Sequence, residues 1–171
     1  MHVAQVTHDA GMDATTRRAL IDRYRQGPDE VLAALEGAVA HDLDARPAPG
    51  EWTAREIVHH LADSETISTI RLRRLLAEDE PLIVAYDQDE YARVLHYDRP
   101  WERSFAVFAA VRATNVELLE LLDDAEWSRA GTHSEDGAYS MKRWLELYAA
   151  HGHDHADQIR EARASATLAD A

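Results

Sequence analysis

The sequence predicts an all-α fold, an antiparallel four-helix bundle with a short extra N-terminal helix. Three observations predict it. Apolar residues recur at spacings of three and four along nearly the whole chain. No stretch combines strict apolar and polar alternation with the Val, Ile and Thr of a strand. Start and stop signals divide the pattern into four long segments joined by two short and one longer connection, which suits helices packed as a bundle. With 171 residues and no proline- or glycine-rich linker, residues 1–171 read as one domain.

The elements follow in order. Thr15 to Arg25 reads as the short amphipathic lead. Gly27-Pro28 followed by Asp29 and Glu30 then reads as a helix start, with proline in the first turn and acids at the positive end of the macrodipole. The stripe Val31, Leu32, Leu35, Val39 and Leu43 continues this helix until the prolines and glycine of residues 46–50 stop it. The second helix has the best start signal. Thr53 is its N-cap, Glu56 the reciprocal capping partner, and Trp52 is placed to pack on Ile57 as a hydrophobic staple. It is expected to run to about Glu78. Residues 79–99 read as irregular, with one short helix through Glu90, Tyr91 and Val94. Pro100 opens a third helix whose stripe is Trp101, Phe105, Phe108, Leu119 and Leu122. Residues 124–139 again read as irregular, with a turn at Asp136-Gly137. Ser140 caps the fourth helix, Tyr139 faces Trp144 as a second staple, and the alanine-rich tail after Arg163 is expected to fray.

Composition narrows the function. A formal net charge of -14 repels a phosphate backbone, and no basic stripe compensates it, so neither nucleic acid nor an anionic membrane is an expected partner. The chain has no cysteine, which removes disulfides, thiolate ligands and a cysteine nucleophile together. No run approaches the ~18 apolar residues of a membrane span, and residues 1–8 lack the layout of a secretory signal. The expected location is cytoplasmic.

The histidines carry the chemistry. In the fourth helix Met141, Trp144, Leu145, Tyr148, His151, Gly152, His155, Ile159 and Ala162 share one stripe. His151 and His155 therefore stand one turn apart on a core-facing seam. Gly152 beside them would let another helix or a ligand come close. In the second helix the seam is Ile57, His60, Leu61, Ser64 and Ile67, whereas His59 falls on a polar face with Arg55, Glu56, Asp63 and Thr66. Periodicity selects His60, His151 and His155. Three neutral imidazoles suit zinc, nickel or another borderline divalent ion, and three protein ligands leave a position open, as catalytic sites do. A single inward histidine is more often a hydrogen-bonded core residue, but burying three without a shared purpose is costly. His2, His8, His41, His96 and His133 read as surface or locally bonded, and Asp63, Asp154 and Asp157 as acids with no assigned role. Glu56 and His59 have the Glu-x-x-His spacing of di-iron bundles, but no second such pair exists.

Three segments carry a resemblance to a known family. They are residues 50–65 (Gly-Glu-Trp-Thr-Ala-Arg-Glu-Ile-Val-His-His-Leu-Ala-Asp-Ser-Glu), residues 81–92 (Pro-Leu-Ile-Val-Ala-Tyr-Asp-Gln-Asp-Glu-Tyr-Ala) and residues 147–159 (Leu-Tyr-Ala-Ala-His-Gly-His-Asp-His-Ala-Asp-Gln-Ile). Together they resemble the DinB superfamily, and within it the YfiT-like metal-dependent hydrolases. The resemblance implies a homodimeric four-helix bundle with a divalent ion held by three histidines, one before a Leu-Ala-Asp segment and two at His-x-x-x-His spacing. On this chain those positions are His60, His151 and His155, the three that the seams select independently.

What the resemblance implies about activity has several branches. The leading expectation is transfer of a small-molecule thiol, bacillithiol-like, to an electrophile, with the metal lowering the thiol pKa. The same centre could instead activate water for hydrolysis. A third branch is a non-enzymatic metal-binding stress-response protein. Residues 79–99 and 124–139 are the segments expected to cover the site and choose the substrate.

Overall fold

The computed structural model describes residues 12–169; His2 and His8 lie outside them. Four long helices form a bundle: α1 (Ala14–Leu35), α3 (Ala54–Ala77), α5 (Glu102–Leu119) and α7 (Met141–Ala169). Between them lie the short helices α2 (Ala40–Asp44), α4 (Gln88–Val94) and α6 (Asp124–Trp127), and the strands β1 (Leu82–Ile83), β2 (Ala130–His133) and β3 (Gly137–Ser140).

The lead and the first expected helix are one element. α1 runs unbroken through Gly27 and Pro28, although a proline inside a helix strips the carbonyl four residues back of its donor. That carbonyl belongs to Tyr24, and the Nη1 of Arg112 on α5 donates to it at 2.8 Å. A distant guanidinium thus replaces the missing N–H. The helix then ends at Leu35, with Gly37 in the left-handed region at φ 70°, so Val39 and Leu43 belong to a separate stretch. Leu32 and Val39 of the expected stripe are 50% and 60% exposed, while Val31, Leu35 and Leu43 are buried.

The other helices start where their caps require. Thr53 Oγ1 accepts from Glu56 N at 3.2 Å and Glu56 Oε2 accepts from Thr53 N at 2.8 Å, a full capping box on α3. Ser140 Oγ accepts from Arg143 N at 3.1 Å and caps α7, which continues past Arg163 to Ala169. The short helix expected near Glu90 is α4, capped by Asp87.

Residues 124–139 are more regular than expected. β2 pairs antiparallel with β3, and β1 joins β2 in parallel, giving a minor three-stranded sheet. Strands of two to four residues are too short for alternation to register, and Ala-Gly-Thr-His and Gly-Ala-Tyr-Ser contain one β-branched residue between them. The turn before β3 spans residues 134–136, so Asp136 lies in it while Gly137, at φ 80°, opens the strand.

Neighbouring helices follow neither sequence order nor a uniformly antiparallel plan. α1 contacts α7 and α5, and α3 contacts α5 and α7, which puts α1 diagonally opposite α3. Along α1 and α7, Arg23 reaches His153, Glu30 reaches Arg160 and Ala34 reaches Arg163, so these two run in parallel. Along α3 and α5, His59 meets Ser104, Glu65 meets Arg112 and Thr69 meets Asn115, again in parallel. α3 and α7 are antiparallel, because His60 meets His151 while Ser68 meets Trp144. The bundle order is up, down, down, up. A parallel α3 and α5 oblige the chain to climb back along the ~36 Å of a 24-residue helix, and residues 78–101 make that climb.

Candidate metal centre

His60 comes from the first half of α3 and His151 and His155 from the middle of α7, on the antiparallel pair. His60 Nε2 lies 3.3 Å from His151 Nε2, and His155 Nε2 lies 3.0 Å from His151 Nε2. The ligand-capable nitrogens of all three residues fall within 4.8 Å of one another, and no further His, Asp or Glu joins the group among the described residues. Two nitrogens each ~2.0–2.1 Å from a tetrahedral ion sit ~3.3 Å apart. The two spacings through His151 are close to that, so the donor set fits a divalent cation.

The proton positions agree with ligation. His155 Nδ1–H donates to Gln158 Oε1 at 2.7 Å, leaving Nε2 with its lone pair. His60 Nδ1 and His151 Nδ1 are buried without a protein partner. Burial first, and then the His155 ring, push His60 down to about 3. Burial pushes His151 well below the ordinary imidazole value, with His155, His60 and Arg112 adding to it. Burial also lowers His155. Three rings held neutral are three rings able to bind a cation.

Packing holds the rings. Trp52 lies against His60 with ring centroids 4.6 Å apart, and the two α7 rings are nearly perpendicular at 89°. Gly152, between the two histidines, lets α1 approach: a Cβ there would sit 3.1 Å from Gly27 Cα and from Arg112 Nη1. The close contact anticipated from Gly152 is made by a helix. Behind the rings, Arg112 also donates to Glu65 Oε2 and Tyr148 O, each at 2.8 Å. Tyr24 hydroxyl and Ser68 complete the Glu65 carboxylate.

A cleft of about 450 Å³ opens beside His155, lined also by Trp52, Ile57, Gln158 and Glu161. Gln88 and Asp89 of α4 bring residues 79–99 into its wall, as expected. Residues 124–139 do not line it, because their hairpin leads into the start of α7, the far end of the bundle. Their place is taken by residues 47–52, which the sequence marks only as a helix stop.

His59 is not on a polar surface. It is fully buried, with Nε2 donating to Arg99 O at 3.0 Å and Nδ1 accepting from Ser104 Oγ at 2.8 Å. His153 bonds Arg23 O, and His133 bonds the backbone of Glu135 and Asp136. Asp63 accepts from Tyr97 hydroxyl and Asp157 pairs with Arg160. Periodicity missed Gln158, whose one available signal is its position three residues after His155.

Residues 23–159 match the sequence model of the DinB superfamily. This chain belongs to the DinB superfamily. A relative from Oceanobacillus iheyensis, named "Putative metal-dependent hydrolase", is 35% identical over 68% of each chain. One from Bacillus mycoides with the same description is 29% identical over 87% of this chain and 88% of its own. Among solved structures, YfiT from Bacillus subtilis superposes with a TM-score of 0.84 at 27% identity, covering 90% of this chain and 89% of its own. It is described as "a probable metal-dependent hydrolase with an unusual four-helix bundle topology". The fold is that DinB bundle, and no helix among the described residues is long and apolar enough to cross a membrane.

Proposed function

We propose that this chain is a metal-dependent hydrolase whose divalent cation, zinc or nickel, is held by Nε2 of His60, His151 and His155. The observation that carries the reading is the convergence of three neutral imidazoles, one buried and two half-buried, beside an open cleft. When bound, the cation supplies Lewis acidity that polarises a carbonyl or acidifies water. The chain's own residues do the rest. Gln158 holds the His155 ring in the tautomer that frees Nε2. Trp52 packs on His60 and lines the cleft, shielding the ring on that side. The cleft has the volume of a small-molecule site, so a small ester or amide is the substrate class.

The test is elemental analysis of the purified protein followed by hydrolysis of a panel of small esters and amides. Stoichiometric metal and turnover that His151→Ala abolishes support the reading. A metal-free protein, or turnover unchanged by that substitution, overturns it. The same panel run with bacillithiol and a chromogenic electrophile separates hydrolysis from thiol transfer, which uses the same three ligands and replaces hydrolysis if only the thiol reaction turns over.

A further inference from the structure

We infer that the substrate of this cleft is cationic: an ester or amide carrying an amine or quaternary ammonium group that Glu51, Asp89 and Glu161 hold. The inference rests on the hydrolase reading for the bond that is cleaved, and on the walls of the cleft for the charge. The cleft is a site on grounds separate from its acids, because His155 stands in its wall and its Nε2 meets that of His151.

Three carboxylates line the cleft and no Lys or Arg does. They come from three elements: the loop before α3, the first turn of α4, and α7. The arginines nearest in sequence form their ion pairs with other acids. Arg46 pairs with Glu56 while donating to Glu51 O, Arg55 pairs with Asp44, Arg93 with Glu90, Arg160 with Glu30 and Asp157, and Arg163 with Asp42. None of the three cleft carboxylates has an ion pair among the described residues, so their charges add in one concave space. Neutral imidazoles leave a divalent ion its full charge, yet three carboxylates keep the cleft net negative even with the ion present. A concave wall of one sign attracts the opposite charge and repels its own.

The helix also sets a distance. His155, Gln158 and Glu161 are spaced by three along α7, so Glu161 lies ~9 Å along the axis from His155. Trp52 is the aromatic residue in that wall, and an aromatic ring beside an ammonium group stabilises it. The substrate is therefore a molecule with its cleavable carbonyl at the histidines and its cation several bonds away. An anionic acyl group or an anionic thiol is disfavoured by the same field.

Three 4-nitrophenyl esters with a six-carbon acyl chain ending in trimethylammonium, tert-butyl or carboxylate test this, because the first two share a shape and differ in charge. Their N-methylamides serve for calorimetric binding to zinc-loaded and metal-free protein. The ammonium compound is expected to bind on the order of ten-fold tighter than the tert-butyl one at low salt, and the carboxylate weakest, with the preference fading as salt rises. In E51Q/D89N/E161Q the preference disappears in Kd and KM while the far-UV spectrum and metal stoichiometry are kept. Equal binding of the charged and neutral compounds, or a preference that survives the triple substitution, overturns the inference. Charge-selective binding without hydrolysis of any ester overturns the hydrolase reading alone, and hydrolysis without charge selectivity overturns this inference alone.

Discussion

Adjacent on α3, His59 and His60 are both buried, yet their nitrogens meet different partners. His60 Nε2 faces His151, and His59 is saturated by Ser104 and Arg99 O. Replacing either with alanine separates the two roles. His60→Ala should lose metal stoichiometry and keep its helical far-UV spectrum, since Ile57, Leu61 and the rest of the seam remain. His59→Ala should keep the metal and lose roughly 1–3 kcal/mol of stability in urea denaturation, because it strands Ser104 and Arg99 O in the interior. Full metal occupancy in His60→Ala would sink the ligand assignment. Gln158→Ala should weaken metal affinity by about 10–100-fold without removing a ligand, read by competition with a chelator. The trio was legible because core seams repeat along one helix. The true surroundings of His59 were not, since the residues that cover it are 40 and 45 positions away.

Among the elements, α1 departs furthest from local rules, and α5 makes the departure tolerable. Gly27-Pro28 has the signature of a helix start, and nothing in the local sequence reports that Arg112 will supply the donor Pro28 lacks. The capping box of α3 and the Ser140 cap of α7 are local chemistry and were readable. Arg112 is 1% exposed and its partner Glu65 is fully buried, so Arg112→Met leaves a buried carboxylate without its cation. That should cost about 3–5 kcal/mol in urea denaturation. Gly27→Ala tests the same point from the other side. In an exposed helix the change gains ~1 kcal/mol of propensity. Here the new Cβ would stand 2.2 Å from Arg112 Nη1, so the sign reverses and the variant is destabilised. If Arg112→Met stays within ~1 kcal/mol of the parent, the guanidinium is not what sustains the proline-containing helix.

At the scale of the whole molecule, the up-down-down-up order places two histidine-bearing helices antiparallel and takes four imidazoles wholly or largely out of water, and this determines how stability responds to pH. Which helix neighbours which was illegible, because amphipathic stripes state what is buried and not against what. The pH response follows from burial directly. His59, His60, His151 and His155 are each held below the ordinary value in the folded state, by burial first in every case. In the unfolded chain they titrate near ~6.5. Below that value the unfolded chain takes up protons that the metal-free fold refuses, so unfolding is favoured as pH falls. The stabilising contribution is complete above about pH 6.5 and is lost progressively on acidification, continuing for His60 down to about 3. Asp44 and Glu78 are lowered by hydrogen bonds from Arg55 and Arg74, and they act only below the ordinary carboxylate range, a separate window. The urea midpoint of metal-free protein should therefore fall steadily between pH 7 and 5. Replacing His60, His151 and His155 together by Asn should flatten that slope and leave the contribution of His59. Excess zinc should raise the midpoint at pH 7 by mass action, and the gain should shrink on acidification because protons and cation compete for the same Nε2 atoms. A midpoint that does not move between pH 7 and 5, with zinc or without it, would mean that these rings are neither buried neutral nor shared by one ion.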